Sequence, residues 1–218
     1  QVPTTLLAMA VSSIGGKTGV DFMAYKNMIG AFHQPKLVYM NLSTLKTLPK
    51  REFNSGMSEI IKHGLIKDAG YYMWLRENRD KILSLDYETL KQMVIRSCII
   101  KKNVVEADPK EKGDRALLNF GHTIGHAVEK LLDFKLLHGE CVAIGMLAAG
   151  YISYKRNYIG ETDLEDMTGL IKSFDLPTGI SGLSPEEIYN ATKLDKKMKS
   201  DKIKFICLEK IGNAVIDM

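Results

Sequence analysis

The sequence predicts a mainly helical chain that opens on a short α/β stretch, and three observations carry that reading. Apolar residues recur with helical spacing over most of positions 51–199. The first 50 residues instead alternate a glycine-rich turn with short apolar runs broken by Pro and Ser. Hydrophobic content of 45% and charged content of 26% are ordinary globular values, and 218 residues bury one good core, or one and a half domains. The expected organisation is therefore a 1–50 remnant of an α/β domain followed by a mostly helical domain over 51–218.

Each element has its own signal. Gln1 to Leu7 reads as a strand end, Ser12-Ser-Ile-Gly-Gly-Lys-Thr-Gly19 as a turn, and Lys36 to Asn41, after Pro35, as a short buried strand. Helical patterns follow at 51–66, 69–83, 86–106, 115–132, 139–155, 161–174, 184–191 and 191–199. Asp86 is placed to cap the third of these, with Thr89 and Leu90 in its first turn. A terminal strand pair is expected at Lys204–Leu208 and Ala214–Asp217. There is no internal repeat or low-complexity linker, and a chain that opens on Gln1 in mid-element suggests sequence upstream.

Composition excludes several function classes. A net charge of +4 is too mild to mark a nucleic-acid binder but suits an anionic small molecule. Cys98, Cys141 and Cys207 are three in number and widely spaced, so they outline neither a disulfide framework nor a cysteine-rich zinc site. They point to a reducing, cytoplasmic setting. The longest apolar run, Cys141 to Ile152, is too short to cross a bilayer.

The densest chemical signal is His122-x3-His126 followed by His138-Gly-Glu140, which puts three of five histidines within 17 residues. Histidines four apart share a helix face. With a third imidazole and an open fourth position they form the pattern of a catalytic zinc; the plainer alternative is three surface histidines. On one helix from Arg115 to Leu132, the residues Arg115, Asn119, His122 and His126 span an arc of roughly 60°. Leu117, Phe120, Ile124, Ala127, Val128 and Leu131 lie opposite as a core stripe. Glu129 and Lys130 fit a solvated face, but the first turns carry no Lys or Glu, which favours a site-facing stripe. Gly121 and Gly125 flank it and suit the close approach of another backbone or a ligand.

Two further motifs remain open on spacing alone. Gly15-Gly-Lys-Thr18 is not a P-loop, because the position that needs the first glycine is Val11. It is an ordinary glycine turn presenting Lys17, although such turns also bind anions. Glu59 and Lys62 are an i, i+3 pair; Glu59 is a candidate carboxylate ligand, and His63 is a rival to it.

Taken together the motifs resemble the 3-dehydroquinate synthase family of sugar phosphate cyclases over all 218 residues. They are Gln1-Val-Pro-Thr-Thr-Leu-Leu, Ser12-Ser-Ile-Gly-Gly-Lys-Thr-Gly, Lys26-Asn-Met-Ile-Gly-Ala-Phe, Thr44-Leu-Lys-Thr-Leu-Pro, Arg115-x3-Asn119-x2-His122-Thr-x-Gly-His126, His138-Gly-Glu and Asp195-Lys-Lys. They match the C-terminal two-thirds of the family. The resemblance implies a helical metal-binding domain preceded by the last part of an α/β Rossmann-like NAD domain. It implies Glu59, His122 and His138 as ligands of Zn2+ (or Co2+), with His126 beside the substrate phosphate. Lys17, Asn27 and Lys196 or Lys197 become anion contacts, Lys101, Arg115 and Asn119 carboxylate contacts, and Lys62 and Glu111 hydroxyl-facing groups. Thr4, Thr5, Lys26, Thr47, Leu48 and Glu52 match the NAD side. One position departs from the family pattern, which has Asp where this chain has Val11.

The activity so implied converts 3-deoxy-D-arabino-heptulosonate 7-phosphate to 3-dehydroquinate and phosphate, in the shikimate pathway. It proceeds by NAD- and metal-dependent oxidation, phosphate elimination, reduction and aldol closure, in a cytoplasmic homodimer with neither nucleic-acid nor membrane partners. Three alternatives stand beside it. A related cyclase lacking a substrate carboxylate is disfavoured by Arg115 with Asn119. A metal-dependent polyol dehydrogenase is disfavoured by Lys17, Lys101 and Asp195-Lys-Lys. An inactive truncated subunit is favoured by Val11 and the missing dinucleotide glycines.

Overall fold

The computed structural model describes residues 1–22, 25–111, 113–195 and 204–217. It is mainly helical, as expected. One helix organises it. Helix α1 (Lys50–Lys67) is buried without interruption from Phe53 to Ile66, which makes it the axis of the core. Helices α2 (Ala69–Glu77), α4 (Tyr87–Ala107) and α6 (His138–Lys155) pack against it. Helix α5 (His122–Leu131) lies on α6, and α7 (Glu161–Ser173) and α8 (Pro185–Asp195) close the outside. Asp86 caps α4 as its sequence position predicts, accepting from Thr89 N–H at 2.9 Å. The carboxyl-terminal hairpin of β3 (Phe205–Lys210) and β4 (Asn213–Asp217) is antiparallel, and Leu208 N donates to Ser153 Oγ of α6 at 2.9 Å.

Several expected elements differ. The stretch 69–83 is two helices, α2 and α3 (Arg79–Leu83), because Asn78 leaves helical geometry between them. The two helices expected at 184–191 and 191–199 are one, α8; positions beyond 195 fall outside the described residues. Gln1–Leu7 and Lys36–Asn41 are not strands. Residues 6–12 wind into a helical turn of π type over Ala8–Ser12, which carries Met9 and Ala10 into the core. Gln1 and the segment at 37–39 exchange two backbone hydrogen bonds, Tyr39 N to Gln1 O at 3.0 Å and Gln1 N to Leu37 O at 2.9 Å. No ladder extends from them, and Leu37 and Tyr39, expected to be buried, are exposed. The glycine turn, in contrast, leads into structure that local signals missed. β1 (Lys17–Phe22) and β2 (Tyr25–Phe32) form an antiparallel hairpin in which Lys17 faces Phe32 and Val20 faces Ile29.

The largest correction concerns the single helix expected over 115–132. Asp114–Asn119 is a tight 3-10 turn, and α5 starts afresh at His122. Gly121 makes the break. It sits at φ +79°, a left-handed conformation that side chains disfavour, and a Cβ there would lie 2.8 Å from Met146 N and 2.9 Å from Val142 O of α6. The backbone therefore turns where it touches α6. Arg115 and Asn119 do not share a helical stripe with the histidines, and Glu129, expected on a solvated face, is buried.

Candidate metal and anion site

The site is built from three helix positions that meet at α1. Glu59 lies at the middle of α1 and is fully buried. His122 and His138 are the first residues of α5 and α6. Both present Nε2 to the same oxygen, Glu59 Oε1, at 3.5 Å. Each imidazole is oriented from behind. His122 Nδ1 lies 3.2 Å from Phe120 O, and His138 Nδ1 lies 3.7 Å from Glu129 Oε1. That is the arrangement by which an outer acceptor fixes the tautomer of a metal-binding histidine.

Close packing sets the meeting point. At Gly139 an added Cβ would fall 1.9 Å from Ser55 O, so nothing larger than glycine allows α6 to start this near α1. Gly139 N donates to Ser55 Oγ at 3.1 Å, and Glu59 stands one turn beyond Ser55. Glu140 then caps α6 by accepting from Leu137 N at 2.8 Å. It also takes two bonds from Arg51, Nε and Nη2 at 2.7 Å each. Thus the His-Gly-Glu motif divides into a candidate metal ligand, a contact that only glycine permits, and a cap. Sequence reading identified the motif but not these last two roles.

Charge follows from this geometry. Burial opposes ionisation of Glu59, but the Lys62 ammonium, ahead of the two imidazoles, holds its carboxyl well below the usual range. Neither carboxylate oxygen accepts a directed hydrogen bond; Lys62 meets Oε2 as an ion pair. Burial, then Lys62, pushes His122 well below its ordinary value. Burial also opposes the charge on His138, which is less enclosed and carries carboxylates on both sides, and Glu129 and Glu59 raise it to about 9. A buried, ionised carboxylate without directed donors, facing two imidazole Nε2 atoms, suits a divalent cation, and the three ligand atoms lie within 4.8 Å of one another. His126, Glu129 and His138 form a second such group. The His126 ring centroid lies 5.1 Å from His122 and 5.9 Å from His138. His63, the rival ligand, belongs to neither group: its Nδ1 turns to Ser97 Oγ on α4 at 2.7 Å.

The three histidines open onto a cavity of about 620 Å³ whose far wall is the β1–β2 hairpin. Lys17, Lys62, Lys101 and Arg115 line it, with Glu111 as the carboxylate among the lining residues. This cationic excess suits a polyanion. Lys17 pairs with Glu111, which also accepts from Asn119 Nδ2 at 3.0 Å. Arg115 is 3% exposed and not an open fork: Nη1 donates to Pro109 O at 2.8 Å and Nη2 to Gly15 O at 2.9 Å, so it also anchors the glycine turn. Lys101 donates to Val11 O, and burial, then Lys62, lowers it to about 7. Val11 itself lines the cavity.

The remaining expected positions lie apart. Lys26 and Asn27 sit on β2, with side chains outside the described residues, as are Lys196 and Lys197. Thr4, Thr5, Thr47, Leu48 and Glu52 do not line the cavity. They cluster near the start of α1, where Thr44 Oγ1 donates to Thr4 O at 3.0 Å and Thr47 Oγ1 to Thr44 O at 3.1 Å. Among the described residues no strand–glycine turn–helix cradle for a dinucleotide is present; the glycine turn leads into β1.

Fold and site define a class: a helical domain in which three residues able to hold a metal ion open on a cavity with an excess of cationic lining. Sequence comparison places it. The 3-dehydroquinate synthase C-terminal pattern matches residues 56–198 and the N-terminal pattern of the same synthase matches residues 1–55, so the chain belongs to the 3-dehydroquinate synthase family. It is 48% identical over 212 residues to the 3-dehydroquinate synthase of Ruminiclostridium cellulolyticum, covering 97% of this chain and 59% of that protein. With the 3-dehydroquinate synthase of Nostoc punctiforme it shares 49% over 216 residues, 97% of this chain and 60% of the relative. The chain thus spans about three-fifths of the curated relatives it matches. Among solved structures, a 2-epi-5-epi-valiolone synthase from Streptomyces hygroscopicus with NAD+ and Zn2+ bound superposes with a TM-score of 0.91. It is 27% identical, covering 99% of this chain and 61% of that one. A 2-deoxy-scyllo-inosose synthase complexed with carbaglucose-6-phosphate, NAD+ and Co2+ gives 0.83 at 25%, covering 98% and 60%.

Proposed function

We propose that the protein containing this chain is a 3-dehydroquinate synthase, eliminating phosphate from 3-deoxy-D-arabino-heptulosonate 7-phosphate with cyclisation to 3-dehydroquinate. The observation that carries the proposal is the union, in one cavity, of the Glu59, His122 and His138 set with Lys17, Lys101 and Arg115. The 48% identity to a synthase of that name supports the same reading. A divalent ion on the three ligands supplies Lewis acidity toward an alcohol oxygen, and NAD supplies a hydride acceptor and donor.

The chain's own residues do the rest. Lys17 and His126 bind the substrate phosphate, assisted by Asn27 and a lysine of Lys196–Lys197. Lys101, Arg115 and Asn119 receive the carboxylate, and Arg115 does so while holding the glycine turn through its backbone carbonyl. Lys62 and Glu111 face the hydroxyls, and their ion pairs with Glu59 and Lys17 keep both at fixed positions before substrate enters. Thr4, Thr5, Lys26, Thr47, Leu48 and Glu52 supply one wall for NAD. The other wall belongs to a Rossmann-like segment of which positions 1–50 form the end, and 51–218 form the catalytic domain. Three cysteines outside any disulfide support a cytoplasmic location; a homodimer rests on the family resemblance alone.

The test is phosphate release by the full-length protein with NAD and zinc. The heptulosonate phosphate is expected to turn over. A sugar phosphate without a carboxylate is not, and its preferential turnover would favour a related cyclase.

A further inference from the structure

We infer that His63 is a substrate-contacting residue, whose Nε2 accepts a hydrogen bond from a hydroxyl group of the molecule held in the cavity. The inference rests on the reading that this molecule is a polyhydroxylated phosphate. His63 lines the cavity wall on α1, next to Lys62, yet is fully buried against the core behind it. Its Nδ1 lies 2.7 Å from Ser97 Oγ, and its Nε2 is buried without a hydrogen-bond partner. A buried polar atom left unpaired is unfavourable, and one that borders a cavity is poised to be satisfied by what enters it.

The proton placement follows from the donors behind the ring. Tyr71 Oη spends its proton on Met93 O at 2.6 Å. The Ser97 hydroxyl acts on that same Tyr71 group, weakly opposing the upward push of burial on the phenol. With the Tyr71 proton committed to Met93 O, we assign Ser97 Oγ as the acceptor for His63 Nδ1–H, which leaves Nε2 with a bare lone pair. Burial, then the neighbouring Lys62 charge, keeps the ring neutral by lowering it to about 3.

A neutral acceptor sorts the ends of a ligand. A fully ionised phosphate or carboxylate has no proton to give and would meet the lone pair with negative charge. A hydroxyl supplies a proton. His63 thus directs hydroxyls toward α1 and leaves the anionic groups to the cations that line the same cavity, Lys17, Lys101 and Arg115. It does this without ligating metal, since it stands outside the Glu59, His122 and His138 group.

The experiment is 15N NMR of the histidine rings in the full-length zinc protein, with equilibrium binding of the heptulosonate phosphate and of its singly deoxygenated analogues. The expected result is a neutral His63 ring protonated on Nδ1, whose Nε2 resonance moves on ligand addition. His63→Phe should keep its zinc and bind the parent ligand about tenfold to a hundredfold more weakly. One deoxygenated analogue should bind wild type and His63→Phe alike, and His63→Gln, whose amide oxygen reaches the place of Nε2, should recover part of the loss. A proton on Nε2, an Nε2 signal unmoved by bound ligand, or an equal loss for every analogue would overturn the inference. If wild type ignores the heptulosonate phosphate but Nε2 responds to sugar phosphates lacking a carboxylate, the function proposed above fails and the role of His63 stands. No response to either class removes both.

Discussion

Gly139→Ala probes the contact on which the metal set depends. A Cβ at this position would lie 1.9 Å from Ser55 O, against an ordinary separation of 3.4 Å, so the start of α6 must retreat from α1 by about 1.5 Å. His138 is the adjacent residue and Glu59 lies one turn past Ser55, so the same retreat opens the 3.5 Å spacing between Nε2 and Oε1. Overpacking of this kind costs about 1–3 kcal/mol. Alanine returns about 1 kcal/mol of helix propensity. The atom struck is a backbone carbonyl with little freedom to move, so a net loss of about 1–2 kcal/mol is expected, read as a lower melting temperature. Displacing a ligand's support typically weakens metal binding about tenfold to a hundredfold. Thermal melts of the full-length protein in chelator and in saturating zinc separate the two effects, and a competition titration gives the zinc affinity directly. A variant that melts higher in chelator, with unchanged zinc affinity, would refute the reasoning: propensity would have won, and the helices would not touch there.

Three further outcomes are expected. His122→Ala, His138→Ala and Glu59→Ala should each lose bound zinc while His63→Ala keeps it; elemental analysis of the purified variants decides, and full zinc in the first three would discard the ligand set. Lys101 is lowered from 10.5 to about 7, so between those values the unfolded chain binds the proton that the folded one has released, and stability attributable to this residue rises with pH across the window. Lys101→Met should therefore stabilise most below pH 7 and lose that advantage toward pH 10; urea titrations across pH showing a constant difference would contradict the assignment. Val11→Asp places a carboxylate on the cavity lining, on the same residue whose backbone carbonyl accepts from Lys101. It is expected to raise phosphate release about tenfold to a hundredfold if a substrate hydroxyl also lacks its partner there, whereas an unchanged or lower kcat/KM means the local backbone has adapted to valine.

Local regularities carried much of the architecture. The capping Asp86, the helical apolar spacing of α1 and the short apolar runs of β3 and β4 are short-range signals, and each produced its element. The helix expected over 115–132 failed for a physical reason that lies outside its own residues. Its apolar spacing is continuous, but the backbone breaks at Gly121 where α6 leaves no room for a Cβ. Lys36–Asn41 failed similarly, because an extended segment becomes a strand only when another pairs with it along its length.

By itself the sequence nominated the residues proposed to carry the chemistry: Glu59, His122, His138 and the cationic group of Lys17, Lys101 and Arg115 all came from residue type, spacing and family resemblance. Tertiary structure decided how they are connected. It moved His63 from rival ligand to a neutral ring pinned by Ser97, turned Glu129 from a surface charge into the acceptor behind His138, and made Arg115 a brace for the glycine turn. Periodicity reports only which face of an element is apolar. Which polar atom meets which depends on how closely two helices approach, and here that distance is set across the chain, at Gly139 against Ser55 and Gly121 against Met146.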